Sequence, residues 1–88
     1  MEDRKIIIEN LPNYVDGDQI KELCSKFGEV IAVKVVEDLA TGMGRGFAFV
    51  RMKYREHAEA AADALNGYKI DNNEIQVHTV ASKFKRKF

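Results

Sequence analysis

Two phenylalanines and two arginines share one side of a short segment near the middle of the chain. Residues 45–52 alternate at the period of a β-strand, which places Arg45, Phe47, Phe49 and Arg51 on one side and small or apolar residues on the other. Aromatic rings beside guanidinium groups suit a ligand that offers stacking bases together with phosphate charge, which is a nucleic acid. The alternative interpretation is a central strand buried on both sides, with both rings in a second core.

Length and composition limit the class of protein. The chain has 88 residues, enough for one domain with one modest core. No apolar run is long enough to cross a bilayer, and residues 1–4 begin no secretory signal, so we expect a nuclear or cytoplasmic protein and not a secreted one. The single cysteine, Cys24, excludes an internal disulfide and a multi-cysteine metal site.

The first half of the chain predicts a strand and then a helix. Residues 4–9 contain three consecutive isoleucines and are followed by Pro12, which cannot donate to a β-ladder. Asp16 and Gln19 have the spacing of a capping box, and the helix that follows is predicted to end at Gly28. Its apolar stripe consists of residues at i, i+3, i+4 and i+7, namely Ile20, Leu23, Cys24 and Phe27. On this stripe the cysteine is interpreted as a core filler, not as a reactive thiol.

Three further elements are predicted beside the aromatic segment. Residues 30–37 are rich in β-branched residues and predict a strand with Ile31, Val33 and Val35 facing one way. An alanine-rich helix is predicted over residues 55–65, with His57 on its exposed side. The last strand is predicted over residues 74–80, after a short edge strand (68–70) and a tight turn (71–73). In that last strand Ile75 and Val77 face inward, and Gln76 and His78 face outward.

Two segments of the chain resemble the motifs of the RNA recognition motif family. Residues 45–52 are similar to the family's first ribonucleoprotein motif at seven of eight positions, with Met52 where an aromatic is preferred. Residues 6–11 resemble the second motif, although Ile7 stands where the family usually has an aromatic. The resemblance covers roughly residues 4–80.

The resemblance implies an α+β fold. We expect a ferredoxin-like βαββαβ sandwich, with a four-stranded antiparallel sheet in the order 4-1-3-2 and two helices on one face. Acidic residues fall on the helical side, namely Glu22, Glu56, Glu59 and Asp63. On the opposite side the sheet is expected to present three apolar residues bordered by cations: Ile7, Phe47 and Phe49 with Lys5, Lys34, Arg45 and Arg51.

The implied function is that of a single-stranded RNA-binding module in RNA processing or regulation. By resemblance, Phe49 stacks on one base, Phe47 contacts a neighbouring base or sugar, and Arg45 pairs with a phosphate. Gln76 and His78 are expected to choose bases by hydrogen bonding. The alternative is an RNA-recognition-type module that binds another protein through the same hydrophobic sheet face. Protein partners through the sheet or the helical face are left open, and the isolated domain is expected to be monomeric.

Because the chain has no net charge, its basic residues must be concentrated on one part of the molecule if it is to bind a polyanion. The chain carries 14 basic and 14 acidic residues, but residues 82–88 hold four basic residues and no acidic one. We therefore divide the chain into a motif over 1–81 and a basic tail over 82–88. The tail, which includes Lys83 and Lys85, is open to three interpretations: a solvated end, an RNA-contacting arm or a nuclear-import signal.

Enzymatic readings are not supported by the sequence. Neither histidine has a partner set with metal-ligand spacing, so no metal or cofactor is expected. An acylphosphatase-like enzyme on this layout would need a cation in the loop after the first strand, and residues 10–15 contain none. We expect a binding module without catalysis.

Overall fold

The computed structural model describes residues 4–37 and 44–80. Within these ranges the chain forms six strands and two α-helices. In chain order they are β1 (Lys5–Glu9), α1 (Gly17–Ser25), β2 (Val30–Glu37), β3 (Gly44–Met52), α2 (Arg55–Leu65), β4 (Lys69–Ile70), β5 (Asn73–Glu74) and β6 (Gln76–Thr79).

Four of the strands form one antiparallel sheet in the order β2-β3-β1-β6. Since β6 is the fourth strand of the predicted pattern, the order 4-1-3-2 and the ferredoxin-like α+β fold are confirmed. The aromatic segment lies in β3, which pairs with β1 on one side and with β2 on the other. The two central strands are thus the two that carry the predicted ribonucleoprotein motifs.

The hydrophobic core lies between the sheet and the two helices. Alternate residues of the strands point into it, beginning with Ile6 and Ile8 on β1 and Ala48 and Val50 on β3. The helices contribute small and aliphatic side chains, namely Ile20, Cys24, Ala58, Ala61, Ala62 and Leu65. Both helical stripes predicted from the sequence are therefore confirmed, and one side of the sheet is sealed by them.

Helix α1 begins with the predicted capping box. The Asp16 carboxylate accepts a hydrogen bond from the Gln19 backbone N–H at 3.0 Å, and the Gln19 side-chain oxygen accepts one from the Asp16 N–H at 3.1 Å. Cys24 is fully buried on the core side of this helix, and burial raises the pKa of its thiol to about 11. A thiol that stays protonated at neutral pH fits the core role predicted for it.

The predicted facing of Ile31 is wrong. The pairing of β2 with β3 shifts register between Val30 and Ala32, as a β-bulge does, so Val30 packs against the core in its place. Ile31 is 52% exposed, whereas Val33 and Val35 share one side of the strand, as predicted, and that side packs against the core. The extra residue in the strand changes the alternation that period two would give.

The last strand is shorter than predicted. Residues 73–74 belong to a separate two-stranded hairpin, in which Lys69 pairs with Glu74 and Ile70 with Asn73. Only residues from Gln76 onward pair with β1. Ile75 lies between the two strands, where its N–H and carbonyl bond to the backbone of Tyr68 and Gly67. The predicted inward side chains of this region, on Ile75 and Val77, are confirmed.

The sequence predicts an exposed position for His57, and this prediction is wrong. It is half-buried on α2, and its Nδ1 is buried with no hydrogen-bond partner among the described residues. The backbone of Gly28 passes directly beside it, so a Cβ on residue 28 would lie 2.2 Å from that nitrogen. Gly28 also has a φ of +154°, which glycine adopts readily and other residues rarely do. This position therefore requires glycine on two counts.

Candidate nucleic-acid interface

The side of the four-stranded sheet that faces away from the helices is here called the open face. Cross-strand partners in antiparallel strands share a face, so the register defines which residues lie there. Between β1 and β3 the open-face pairs are Lys5 with Arg51, Ile7 with Phe49 and Glu9 with Phe47. The flanking strands add Ala32 and Lys34 from β2 and Gln76 and His78 from β6.

One end of the open face concentrates positive charge around Phe49. The Lys5 ammonium lies 5.2 Å from the centre of the Phe49 ring, within the range of a cation–π contact. Lys34 is the register partner of Phe49 on β2, and Arg51 follows two residues later on β3. We call these four residues the cationic end.

The cationic end surrounds a shallow hollow. The four residues line it together with Ala32 and Val33, and its volume is about 200 Å³. Ala32 pairs with Arg51, so the small side chain leaves space between the cations. A half-buried ring beside three cations can contact the face of a base while the cations neutralise neighbouring phosphates.

The other end of the open face has a different character. Phe47 is 45% exposed, and its register partner on β1 is the half-buried Glu9. Glu9 in turn pairs with the exposed Gln76 on β6. We call Glu9, Phe47 and Gln76 the carboxylate end. Its described side chains offer an exposed ring beside hydrogen-bonding groups.

Two predicted contact residues lie between the ends with limited exposure. Ile7 is only 8% exposed, since it is flanked in register by the larger side chains of Phe49 and His78. It therefore presents little apolar surface to a base. His78 is half-buried on the same face. The other predicted residues whose side chains are described divide between the two ends.

The structure describes no side chain for three of the predicted contact residues. Arg45 belongs to β3, but its side chain lies outside what the structure describes. Lys83 and Lys85 lie outside the described residues. Their contacts with RNA stay predictions.

Glu9 is the open-face residue that the sequence analysis missed. The period of two that placed Lys5 and Ile7 on this face also reaches Glu9, so the position could have been inferred. What the pattern alone could not supply is its neighbours. Only the register shows that this carboxylate lies between Phe47 and Gln76.

Within 4–37 and 44–80, no three His, Cys, Asp or Glu side chains are grouped so that they could hold a metal ion. Neither described helix is long and apolar enough to cross a membrane.

Comparison with known proteins agrees with this architecture. Residues 6–76 match the family model of the RNA recognition motif. The chain is 41% identical over 85 residues to the chloroplastic 29 kDa ribonucleoprotein B of Nicotiana sylvestris, covering 97% of this chain and 29% of that protein. It is 38% identical over 72 residues to the serine/arginine-rich splicing factor SC35 of Arabidopsis thaliana, covering 82% of this chain and 24% of the relative. The chain therefore spans less than a third of these relatives.

Solved structures with RNA are among those that resemble it. A Sxl-lethal protein/RNA complex superposes with a TM-score of 0.83 at 31% identity, over 89% of this chain and 48% of that one. The Rna15 RNA recognition motif with bound RNA (GU) superposes with a TM-score of 0.82 at 29% identity, over 89% and 83% of the two chains.

An α+β sandwich with an aromatic, cation-flanked sheet face defines a class of RNA-binding module. The chain belongs to the RNA recognition motif family, as the resemblance in its sequence implied. This is a family of RNA-binding modules and not typically of enzymes. The comparisons do not favour the alternative of a protein-interaction module that uses the same face.

Proposed function

We propose that the open face binds single-stranded RNA, with bases on Phe47 and Phe49 and phosphates beside the flanking cations. The observation that carries the proposal is the pair of rings on the side of the sheet away from the helices, one of them 45% exposed. A partly exposed aromatic ring is poorly suited to water alone but well suited to a stacked base, and the second ring, Phe49, lies beside cations that suit phosphate. Double-stranded RNA is disfavoured as a ligand because its bases are paired and stacked on one another.

Each residue of the predicted set receives a role in this proposal. Phe49 stacks on one base while Lys5, Lys34 and Arg51 neutralise the adjacent phosphates. Phe47 contacts a second base or its sugar, and Arg45 pairs with a phosphate near it. Ile7 contributes a small apolar surface between the rings. Gln76 and His78 bond to base edges, and Lys83 and Lys85 of the tail add phosphate contacts.

Affinity is expected to be modest. Each base stacked on an aromatic ring contributes roughly 1–3 kcal/mol, and the family's usual third aromatic is absent at Ile7. Two rings and a few phosphate contacts correspond to a dissociation constant on the order of micromolar.

Chemical-shift mapping with short RNA homopolymers tests ligand class and face together. We expect the largest backbone amide shifts in β1 and β3, and small ones in α1 and α2. Tyr68→Ala serves as a matched control, since Tyr68 has the same 45% exposure as Phe47 but lines a groove beside α1. Shifts that cluster on the helices, or the absence of binding, would overturn the proposal.

Salt dependence separates RNA binding from the alternative protein contact. Binding of RNA should weaken steeply as salt is raised, because counterions are released from the phosphates. Removing residues 82–88 should reduce both the affinity and this slope if the tail contacts phosphate. An unchanged slope would assign the tail to solvent and leave residues 1–81 as the whole module.

The setting of this activity is also part of the proposal. We infer a role in RNA processing or regulation, in the nucleus or cytoplasm, for a domain that is monomeric in isolation. The splicing-factor relative supports this setting, whereas the chloroplastic relatives support an organelle. Microscopy of the full-length protein with a fluorescent tag distinguishes them, and sedimentation of the domain tests the monomer.

A further inference from the structure

The two cations that β2 and β3 contribute to the hollow at the cationic end are held differently. Lys34 is exposed, whereas Arg51 is half-buried. The register partner of Arg51 on β2 is Ala32, whose single methyl group leaves space beside the longer side chain, and both residues line the hollow. A half-buried arginine next to so small a neighbour lies against the sheet, at the level of a base that rests there. An exposed lysine instead extends its charge towards solvent, where the phosphates run.

Arg51 is within reach of a base that rests on Phe49. The two residues are separated by one position on β3 and share the open face, which places their Cα atoms roughly 7 Å apart. Phe49 also lines the hollow, so the edge of a base stacked on this ring projects over the hollow and meets the guanidinium. The volume of about 200 Å³ is less than the roughly 300–1,000 Å³ of pockets that enclose drug-sized ligands, and it suits the edge of a single base.

The side chains that line the hollow offer hydrogen-bond donors. Its polar members are Lys5, Lys34 and Arg51, and the described lining contains no acidic or amide side chain. Ammonium and guanidinium groups only donate, so they favour the acceptor atoms of a base over its amino groups. The Lys5 ammonium is already engaged with the Phe49 ring, 5.2 Å from its centre. The Arg51 guanidinium presents parallel N–H groups in a fixed plane, and such a group bonds best to two acceptors that lie side by side.

Guanine presents such a pair on an edge that a single strand leaves open. Its N7 and O6 are adjacent acceptors, whereas adenine places an amino group beside N7, and uracil has a C–H beside O4. Cytosine has an amino group on the corresponding edge. Its other pair of acceptors, N3 and O2, includes an oxygen next to the ring nitrogen that carries the sugar, so the sugar would be forced against the same hollow. Guanine alone offers two adjacent acceptors away from its sugar.

We propose that Arg51 selects guanine for the nucleotide that stacks on Phe49, by donating to O6 and N7 of the base. The inference rests on the proposed RNA-binding function and adds base selectivity to it. Under this assignment Lys34 neutralises the phosphate next to any base, while Arg51 adds to its charge the role of a specificity-determining residue.

Fluorescence anisotropy with labelled uridine octamers tests the assignment. The two central nucleotides are guanosine, adenosine, cytidine, inosine or 7-deazaguanosine, in which a C–H replaces N7. We expect the guanosine RNA to bind about tenfold more tightly than the adenosine RNA, within the range of a good bidentate contact. Inosine should bind as tightly as guanosine, because it keeps O6 and N7 and lacks only the N2 amino group. The 7-deazaguanosine RNA should lose a large part of the advantage, because one of the two acceptors is missing.

Two variants of the hollow separate base selection from charge. Arg51→Gln removes the guanidinium, and the ratio between the affinities for guanosine and adenosine RNA should fall to less than about threefold, since an amide pairs better with adenine. Lys34→Gln is the matched control, because it removes the same charge from the same hollow. It should weaken binding of every RNA alike and leave the ratio unchanged.

The outcomes separate this inference from the function on which it rests. If the guanosine RNA binds no more tightly than the adenosine or cytidine RNA, selection of guanine is wrong and RNA binding stands. The same holds if Arg51→Gln keeps the preference in a variant whose amide spectrum is native, or if Lys34→Gln lowers the ratio equally. If 7-deazaguanosine binds as tightly as guanosine, or inosine as weakly as adenosine, the paired contact with O6 and N7 is wrong. If none of the RNAs binds the wild-type chain, the proposed function fails and the guanine assignment with it.

Discussion

The two sides of the four-stranded sheet are built from alternate residues of the same strands. On β1, Ile8 is 1% exposed and packs in the core, whereas the adjacent Ile7 lies on the open face. On β3, Ala48 and Val50 are fully buried between residues that include Phe47, which is 45% exposed. Stability and binding can therefore be assigned to different residues of a single strand.

This division has an energetic reason. Leaving part of an aromatic ring in water forgoes burial worth roughly 25 cal/mol for each Å². The fold must then gain its stability on the other side, where the alanine stripe of α2 allows close approach to the sheet and Ile6, Ile8 and Val50 are sealed. Substitutions on the two sides should therefore have separable effects on unfolding and on RNA binding.

The largest expected effect is loss of stability on the core side. Ile8→Ala should lower the free energy of unfolding by about 2–5 kcal/mol, because it leaves a cavity in a closed core. Ile7→Ala is the matched substitution on the open face and should cost roughly half of that or less, since its surroundings can relax toward solvent. Urea unfolding monitored by circular dichroism measures both. Equal losses would show that the open face is packed as tightly as the core.

A second effect on the core side should arise where the loop before β2 meets α2. Gly28→Ala should destabilise the fold by about 1–3 kcal/mol, because alanine is strained at a positive φ and its Cβ would collide with the His57 ring. Gly17→Ala is the control, since a Cβ there meets the Val33 and Val35 side chains at ordinary distances of 3.7 and 4.0 Å. Thermal unfolding of both variants checks the difference.

The collision and the backbone strain can be separated by a double-mutant cycle. Combining Gly28→Ala with His57→Ala should recover part of the loss, because the ring is removed while the strain remains. If the two effects simply add, contact with His57 has no part in the requirement for glycine.

Much of this molecule could be predicted from local patterns. The period of two in β3 correctly separated Phe47 and Phe49 from Ala48 and Val50, because both the pleat and the alternation are local properties of a strand. The capping box of α1 and the alanine stripe of α2 are likewise encoded within a few residues. These features are confirmed because nothing distant competes with them.

The features that were missed depend on distant parts of the chain. The bulge at Ile31 exists only as a mismatch between β2 and β3, so no pattern within β2 alone reveals it. His57 is half-buried because the Gly28 loop passes over it, a contact between residues 29 positions apart in the chain. Glu9 could be placed on the open face by periodicity, but its position between Phe47 and Gln76 required the register.

On the open face the largest expected effect is on RNA binding. Phe49→Ala should weaken binding of a uridine-rich single strand by about 1–3 kcal/mol and leave the fold intact, because one stacking surface is removed. Tyr68→Ala removes an aromatic of similar size from the other side and should leave the affinity unchanged. Isothermal titration calorimetry measures both. A folded Phe49→Ala variant that binds RNA normally would contradict the assignment of this ring as a stacking surface.

The smallest expected effect is the removal of one cation from the open face. Lys34→Ala should weaken RNA binding at low salt and reduce the slope of log K against log salt by about 0.7, the value for one phosphate contact with a single strand. Lys21→Ala on α1 is the matched control, because Lys21 is an exposed lysine beside the helical side of the sheet. If the two variants change the slope equally, RNA responds to the net charge of the domain and the cationic end has no special role. If only Lys34→Ala changes it, phosphate is neutralised at the side of the sheet that carries Phe49, and a chain of zero net charge binds a polyanion through the placement of its cations.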